Sequence, residues 1–148
     1  MTVTNTSVGG NGIKMSNAKV RLMDVALKGC SDAALRIQDT TSATTTVVAT
    51  RCEFANSNFG VFANGILTSA KFNNCLFHSN RYNGIFGSES TIHLHGETTA
   101  THSNGYFGIC ADSAKVLIHL PSHHNTCYNN RGGDRITVSG GTITNVED

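Results

Sequence analysis

Proline occurs once in the 148 residues, tryptophan is absent, and only 14% of positions are charged. The net charge of +1, with no block of one sign, excludes the basic footprint of a nucleic-acid binder. No apolar run approaches the ~18 residues of a spanning helix, so no membrane partner is expected. The opening Met1-Thr2-Val3-Thr4-Asn5-Thr6-Ser7 lacks the basic and apolar regions of a secretory leader. The five cysteines, Cys30, Cys52, Cys75, Cys110 and Cys127, contain no Cys-x-x-Cys pair, and their odd number argues against a complete disulfide framework. Free thiols lean toward an intracellular setting, and the localisation is otherwise open. Apolar periodicity of the helical kind is also missing, because glycine and β-branched residues interrupt every window.

What is present is a repeat. The glycines of Phe59-Gly60-Val61-Phe62-Ala63, Asn83-Gly84-Ile85-Phe86-Gly87 and Phe107-Gly108-Ile109-Cys110-Ala111 stand 24 residues apart, twice. Weaker copies are Gly12-Ile13-Lys14-Met15 and Ala34-Leu35-Arg36-Ile37. Asn56, Asn80 and Asn104 precede the strong glycines by four residues, and Asn129 continues the series. Ala18-Lys19, Ala70-Lys71 and Ala114-Lys115 each open an apolar strand, with Thr91-Ile92 and Arg135-Ile136 at the equivalent places. A fixed period of this length marks stacked structural units. Neither a leucine lattice nor a propeller period of ~40 residues is present.

Residues two apart in a strand share a face. The register then predicts one inward column of Val20, Phe72, Ile92, Val116 and Ile136, and another of Ile13, Leu35, Val61, Ile85 and Ile109. A third runs Val25, Cys52, Cys75 and Thr99, beside Leu27, Phe54, Phe77 and Thr101. The fold expected is all-β: one domain over residues 1–148, wound as a single right-handed parallel β-helix of about six coils, each rising ~4.8 Å. The asparagine series reads as structural, since Asn tolerates left-handed turns and its amides hydrogen-bond along a stack.

The succession Cys75-Leu76-Phe77-His78-Ser79-Asn80-Arg81-Tyr82-Asn83-Gly84-Ile85-Phe86, with its copies from Gly12 to Val138, resembles the right-handed parallel β-helix, or pectin-lyase-like, superfamily. That resemblance implies a fold shared by pectate and alginate lyases, polygalacturonases, mannuronan epimerases, phage tailspikes and non-catalytic binding domains. A shared fold does not choose among them.

Outward residues of such a coil also stack, lining grooves suited to a polymer. Phe62 and Phe86 on the third strand, with Tyr82 and Tyr106 in the turn before it, form an expected aromatic surface for sugar rings. Phe62, Phe86 and Tyr106 are the substrate-binding candidates, unless a loop or another subunit covers them. Among seven histidines, His78 and His102 are 24 apart, as are His95 and His119, and His93 shares a face with His95. Stacked imidazoles are able to clasp a metal. Repetition alone also produces them, so solvated surface histidines are expected, with no metal and no cofactor. His123 and His124 fall where the last coil departs from the pattern.

The acids are scattered, which excludes the paired carboxylates of glycoside hydrolysis. The acidic calcium cluster that resemblance to pectate lyases implies is missing. So is the Asp-Pro-His of the epimerases, since the lone Pro121 sits in Leu120-Pro121-Ser122. A metal-free lyase or C5-epimerase needs only a cation for the uronate and a base for its C5 proton. His78, Arg81, Tyr82 and His102 are the catalytic candidates for that chemistry. Three readings follow: a domain binding a polysaccharide along an outer groove, a polyuronate lyase or epimerase, and a structural or protein-binding module. Strand edges at uncapped ends, or the aromatic face, make homo-oligomers a further expectation.

Overall fold

The computed structural model describes residues 1–39, 42–119 and 127–147, and these contain eighteen strands and no helix. The first coil is built from β1 (Thr2–Val3), β2 (Ile13–Met15) and β3 (Lys19–Met23). The second holds β4 (Ala26–Lys28), β5 (Ala33–Gln38) and β6 (Thr45–Thr50), and the third β7 (Glu53–Ala55), β8 (Phe59–Asn64) and β9 (Thr68–Asn73). The fourth has β10 (Leu76–His78), β11 (Ile85–Ser88) and β12 (Thr91–His95). The fifth has β13 (Ala100–His102), β14 (Phe107–Asp112) and β15 (Lys115–His119). The sixth ends the series with β16 (Cys127–Tyr128), β17 (Gly133–Val138) and β18 (Thr142–Val146). His123, His124 and Pro121 lie outside the described residues.

Every strand pairs in parallel with its counterpart one coil away, giving three sheets of six. Sheet A stacks β1, β4, β7, β10, β13 and β16; sheet B stacks β2 through β17; sheet C stacks β3 through β18. The chain is therefore a parallel β-solenoid of six coils. Most of the described corners carry a residue in the left-handed region. Between sheets A and B these are Gly29, Asn56, Ser79, Ser103 and Asn129, with φ of 65°, 53°, 56°, 57° and 54°. Such a residue redirects the chain while its N–H still joins the parallel ladder: Asn56 donates to His78 O, Ser79 to His102 O and Ser103 to Tyr128 O. Short polar Asn and Ser suit these positions because local hydrogen bonds offset the steric cost of a Cβ there.

The core fills the hollow inside the coils. Leu27, Phe54, Phe77 and Thr101 stack as the sequence predicts, beside buried Val25, Cys52, Cys75 and Thr99. Ile13, Leu35, Val61, Ile85 and Ile109 are likewise vertical neighbours. Phe54 and Phe77 lie face to face at 5.2 Å, and Phe72 meets Phe77 edge-on at 5.0 Å. Burying each such ring is worth ~1.5–3 kcal/mol.

The remaining predicted column needs correction. Val20 stacks with Val47, Ala70, Ile92, Val116 and Ile143, while Phe72 stands one inward place further on, between Ala49 and Leu94. Ile136 belongs to sheet B, outward beside Cys110. In the sixth coil two apolar columns end in polar residues. Ile109 is followed by Arg135 and Ile118 by Asn145, and Arg135 Nη1 donates to Asn145 Oδ1 at 3.1 Å.

Candidate functional site

The A–B corner carries the most regular polar structure. Directly after the last four of its left-handed residues comes an inward polar side chain, Ser57, Asn80, Asn104 and Asn130, whereas Cys30 follows Gly29. Asn80 Oδ1 accepts from the Ser57 N–H at 3.1 Å, and Asn104 Oδ1 from the Asn80 N–H at 3.1 Å. Asn130 Oδ1 accepts from the Asn104 N–H at 3.1 Å. The amide nitrogens run the other way: Asn80 Nδ2 donates to Phe54 O and Asn104 Oδ1, and Asn104 Nδ2 to Phe77 O and Asn130 Oδ1. The asparagine series is thus structural, as expected, but splits into two columns. Asn56 and Asn129 are corner residues, whereas Asn80 and Asn104 are rungs continued by Asn130.

The ladder also accounts for the repeated glycines. A Cβ on Gly84 would lie 2.7 Å from Asn104 Nδ2 and 2.9 Å from Gly108 O. One on Gly60 would lie 2.9 Å from Asn80 Nδ2 and 2.5 Å from Gly84 O. The amides occupy the space that missing side chains leave.

Two hollows open over this corner. A polar one of about 580 Å3 is lined by Asn56, Asn58, Ser79, Asn80, Arg81 and Ser103, among others. An apolar one of about 340 Å3 is lined by Phe59, Tyr82, Asn83, Phe86 and Tyr106. The Arg81 guanidinium, 5.4 Å from the Tyr82 ring centre, stands between them.

The predicted aromatic residues do gather, though not as one flat platform. Phe62 and Phe86 stack on each other at 4.8 Å with planes 26° apart, and the Arg36 guanidinium covers Phe62 at 4.3 Å. Arg36 is held there by Asp32 at 2.8 Å. Both faces of Phe62 are therefore occupied within the chain. Phe59 packs against Phe62, Phe86 and Tyr82, and Tyr82 sits 5.2 Å from Tyr106. Tyr106 is 55% exposed and is the most accessible ring of the group.

The four catalytic candidates divide. His78 and His102 stack at 4.9 Å with planes 2° apart, and Tyr128 continues the stack at 4.8 Å. His78 Nε2 contacts Glu53 Oε1 at 2.6 Å and Nδ1 contacts Ser79 Oγ at 2.9 Å. Lys28 Nζ holds the other Glu53 oxygen at 2.7 Å. Burial raises the Glu53 carboxyl, but Lys28 and His78 outweigh it and hold the group below its ordinary range. His102 has Nδ1 on Ser103 Oγ at 3.0 Å, and its Nε2 makes no hydrogen bond among the described residues. Burial, then the neighbouring His78, hold its imidazole below the usual range, so it is neutral at neutral pH. Arg81 reaches the polar hollow beside Ser79 and Ser103, while Tyr82 turns to the aromatic cluster.

Sequence reasoning missed Glu53 as the partner of His78. Its only signal was a charge one coil below, diagonal to the histidine and beside Lys28. It also missed Tyr128, whose place beyond His102 was hidden by the longer spacing of the last coil.

On sheet C, His93 and His95 project from β12 and His119 from β15. His93 Nδ1 lies 2.9 Å from His119 Nε2, and the His95 and His119 rings stack at 3.9 Å. Cys30, Cys52, Cys75 and Cys110 are buried and Cys127 is half-buried, all as free thiols. The Cys75 thiol is pushed up by its contact with Cys52 and by burial, and burial likewise raises Cys110 and Cys127. The same contact lowers the Cys52 thiol to about 6, so the packing role is read for the three raised thiols, Cys75, Cys110 and Cys127. No family model, curated protein or solved structure matches the chain.

Proposed function

We propose that this solenoid is a polysaccharide-binding domain of the pectin-lyase-like kind, gripping its ligand along the A–B corner of coils three to five. The observation that carries the reading is the adjacency of the two hollows, one walled by Phe59, Tyr82, Phe86 and Tyr106 and the other by Asn, Ser and Arg81. A sugar unit has both surfaces to match: apolar C–H faces for aromatic rings, and hydroxyls for amides and serines. Arg81 adds a cation suited to a sugar carboxylate, which favours an acidic polymer. Equivalent positions recur each coil at ~4.8 Å, so a repeating chain laid along the axis meets repeating contacts.

Calorimetric titration with acidic and neutral polysaccharides tests this. Binding of at least one acidic polymer is expected, weakened at least ~10-fold by Tyr106→Ala, a loss of ~1.4 kcal/mol. Silence across the panel, or unchanged binding by a folded double variant Tyr82→Ala with Tyr106→Ala, overturns the proposal.

The neutral imidazole of His102 supports a second reading, a lyase or C5-epimerase. His102 Nε2 takes the proton next to the uronate carboxylate, and Arg81 neutralises the resulting charge. Elimination then expels the C4 oxygen, which leaves with the proton held by His102 and gives an unsaturated sugar. In the epimerase, protonation of C5 by water on the opposite face inverts C5 and the His102 proton returns to solvent. Formation of unsaturated uronate absorbance, or solvent deuterium entering C5, lost in His102→Gln, would establish it. If wild-type protein yields neither signal, the domain binds without catalysis.

A further inference from the structure

We propose that His93, His95 and His119 form a binding site for a divalent late transition ion, Zn2+ above all, on the outer face of sheet C. One ring nitrogen from each histidine lies within 4.8 Å of the others. Tetrahedral zinc with Zn–N bonds of ~2.0–2.1 Å holds its ligand nitrogens about 3.3 Å apart. His93 Nδ1 and His119 Nε2, 2.9 Å apart in a hydrogen bond, are already near that figure, and binding exchanges this bond for the ion and turns the stacked His95 and His119 rings toward it.

The scaffold fixes the three donors. His93 and His95 are two apart on β12, hence on one face. His119 ends β15, whose pairing with β12 runs from Thr91 with Lys115 to Leu94 with Ile118, which brings His119 beside His95. A site on paired strands is positioned more firmly than one on loops.

The donor set selects the ion. All three ligands are imidazoles, which suit zinc, copper and nickel. The cluster holds no carboxylate, so calcium and magnesium lack the oxygen ligands they need. The neighbouring strands present Lys71 and Asn73 from β9 and Lys115 and Leu117 from β15. Three protein ligands leave one tetrahedral position for water or an anion, and the lysines favour the anion.

The site lies on a different sheet from the two hollows, so it stands or falls independently of polysaccharide binding. The test uses chain free of any histidine tag and stripped with EDTA. Titration with Zn2+ is expected to give one ion per chain and a higher melting temperature, and Co2+ the intense visible bands of a four-coordinate site. His93→Gln, His95→Gln and His119→Gln should each weaken Zn2+ at least ~10-fold. A control, His78→Gln with His102→Gln, should bind as wild type. Absence of stoichiometric Zn2+ binding, or its loss only in the control pair, overturns the proposal. Far-UV circular dichroism of each variant confirms that weakened binding is not lost folding.

Discussion

Asn80→Ala probes the amide ladder where it is most enclosed. Asn80 is 2% exposed and serves three partners through its side chain: the Ser57 N–H, the Phe54 carbonyl and Asn104 Oδ1. Alanine leaves the buried Ser57 N–H without an acceptor and removes the side-chain donor from the Phe54 carbonyl, which stays in the β7–β10 ladder. An orphaned donor costs ~1–3 kcal/mol and a lost hydrogen bond ~0.5–1.5 kcal/mol, so the loss should be roughly 2–4 kcal/mol. At ~2–4 °C per kcal/mol for a chain of this size, the melting temperature should fall by about 5–15 °C. Asn80→Ser should be milder. In the coil below, the Ser57 hydroxyl performs the same service, accepting from the Cys30 N–H at 3.0 Å and donating to Ala55 O at 3.0 Å. Asn56 supplies the contrast, because it only turns the corner at φ 53°. Asn56→Gly should change stability by under ~1 kcal/mol. Urea unfolding at constant m-value measures all three. If Asn80→Ala costs no more than Asn56→Gly, the ladder does not hold the coils together and the reasoning fails.

The remaining predictions concern packing and charge. Gly84→Ala should destabilise strongly and broaden the amide spectrum, because its Cβ meets a rung amide and a backbone oxygen below 3.0 Å; a wild-type melting curve would refute the glycine–amide fit. His102 has a folded pKa below its unfolded value near 6.5, so its contribution is complete above that pH and is lost as pH falls through the folded value. His102→Gln should therefore flatten the stability profile below about pH 6.5, read as urea midpoints. Glu53, also depressed, contributes above the ordinary carboxylate value near 4.3 and loses that contribution at lower pH, so Glu53→Gln should flatten only the acid limb of the same profile.

The solenoid was legible because burial favours an apolar residue at most inward positions, and the column Ile13, Leu35, Val61, Ile85 and Ile109 keeps to that through five coils. Register went astray where the marker was a surface feature. Ala70-Lys71 looks like Ala18-Lys19, yet Lys19 aligns through Thr46 with Ser69, two residues earlier, since an outward lysine meets no packing constraint. At the site, residue spacing located the aromatic group and the histidine pairs. It could not show that Phe62 is sandwiched between Arg36 and Phe86, because ring orientation is a matter of rotamers. Nor could it show the diagonal contact of His93 with His119, which depends on how far each imidazole leans along its strand.

The three corners of the solenoid do not share one tolerance for length. Between sheets A and B the connection, taken between register-paired positions, is nearly constant in coils two to six: Lys28 to Leu35, Ala55 to Val61, His78 to Ile85, His102 to Ile109 and Tyr128 to Arg135. Only coil one, which lies outside the amide ladder, runs longer there, from Val3 to Ile13 against Leu27 to Leu35. The other two corners stretch: Gln38 to Thr45 exceeds Ser88 to Thr91, and His119 to Cys127 exceeds Asn73 to Leu76. A corner whose amides interlock with the coils above and below accepts no extra residue without breaking a rung. Surplus chain is shed onto the two free corners, where insertions can grow or new peptides be grafted while the interlocked corner keeps its alignment.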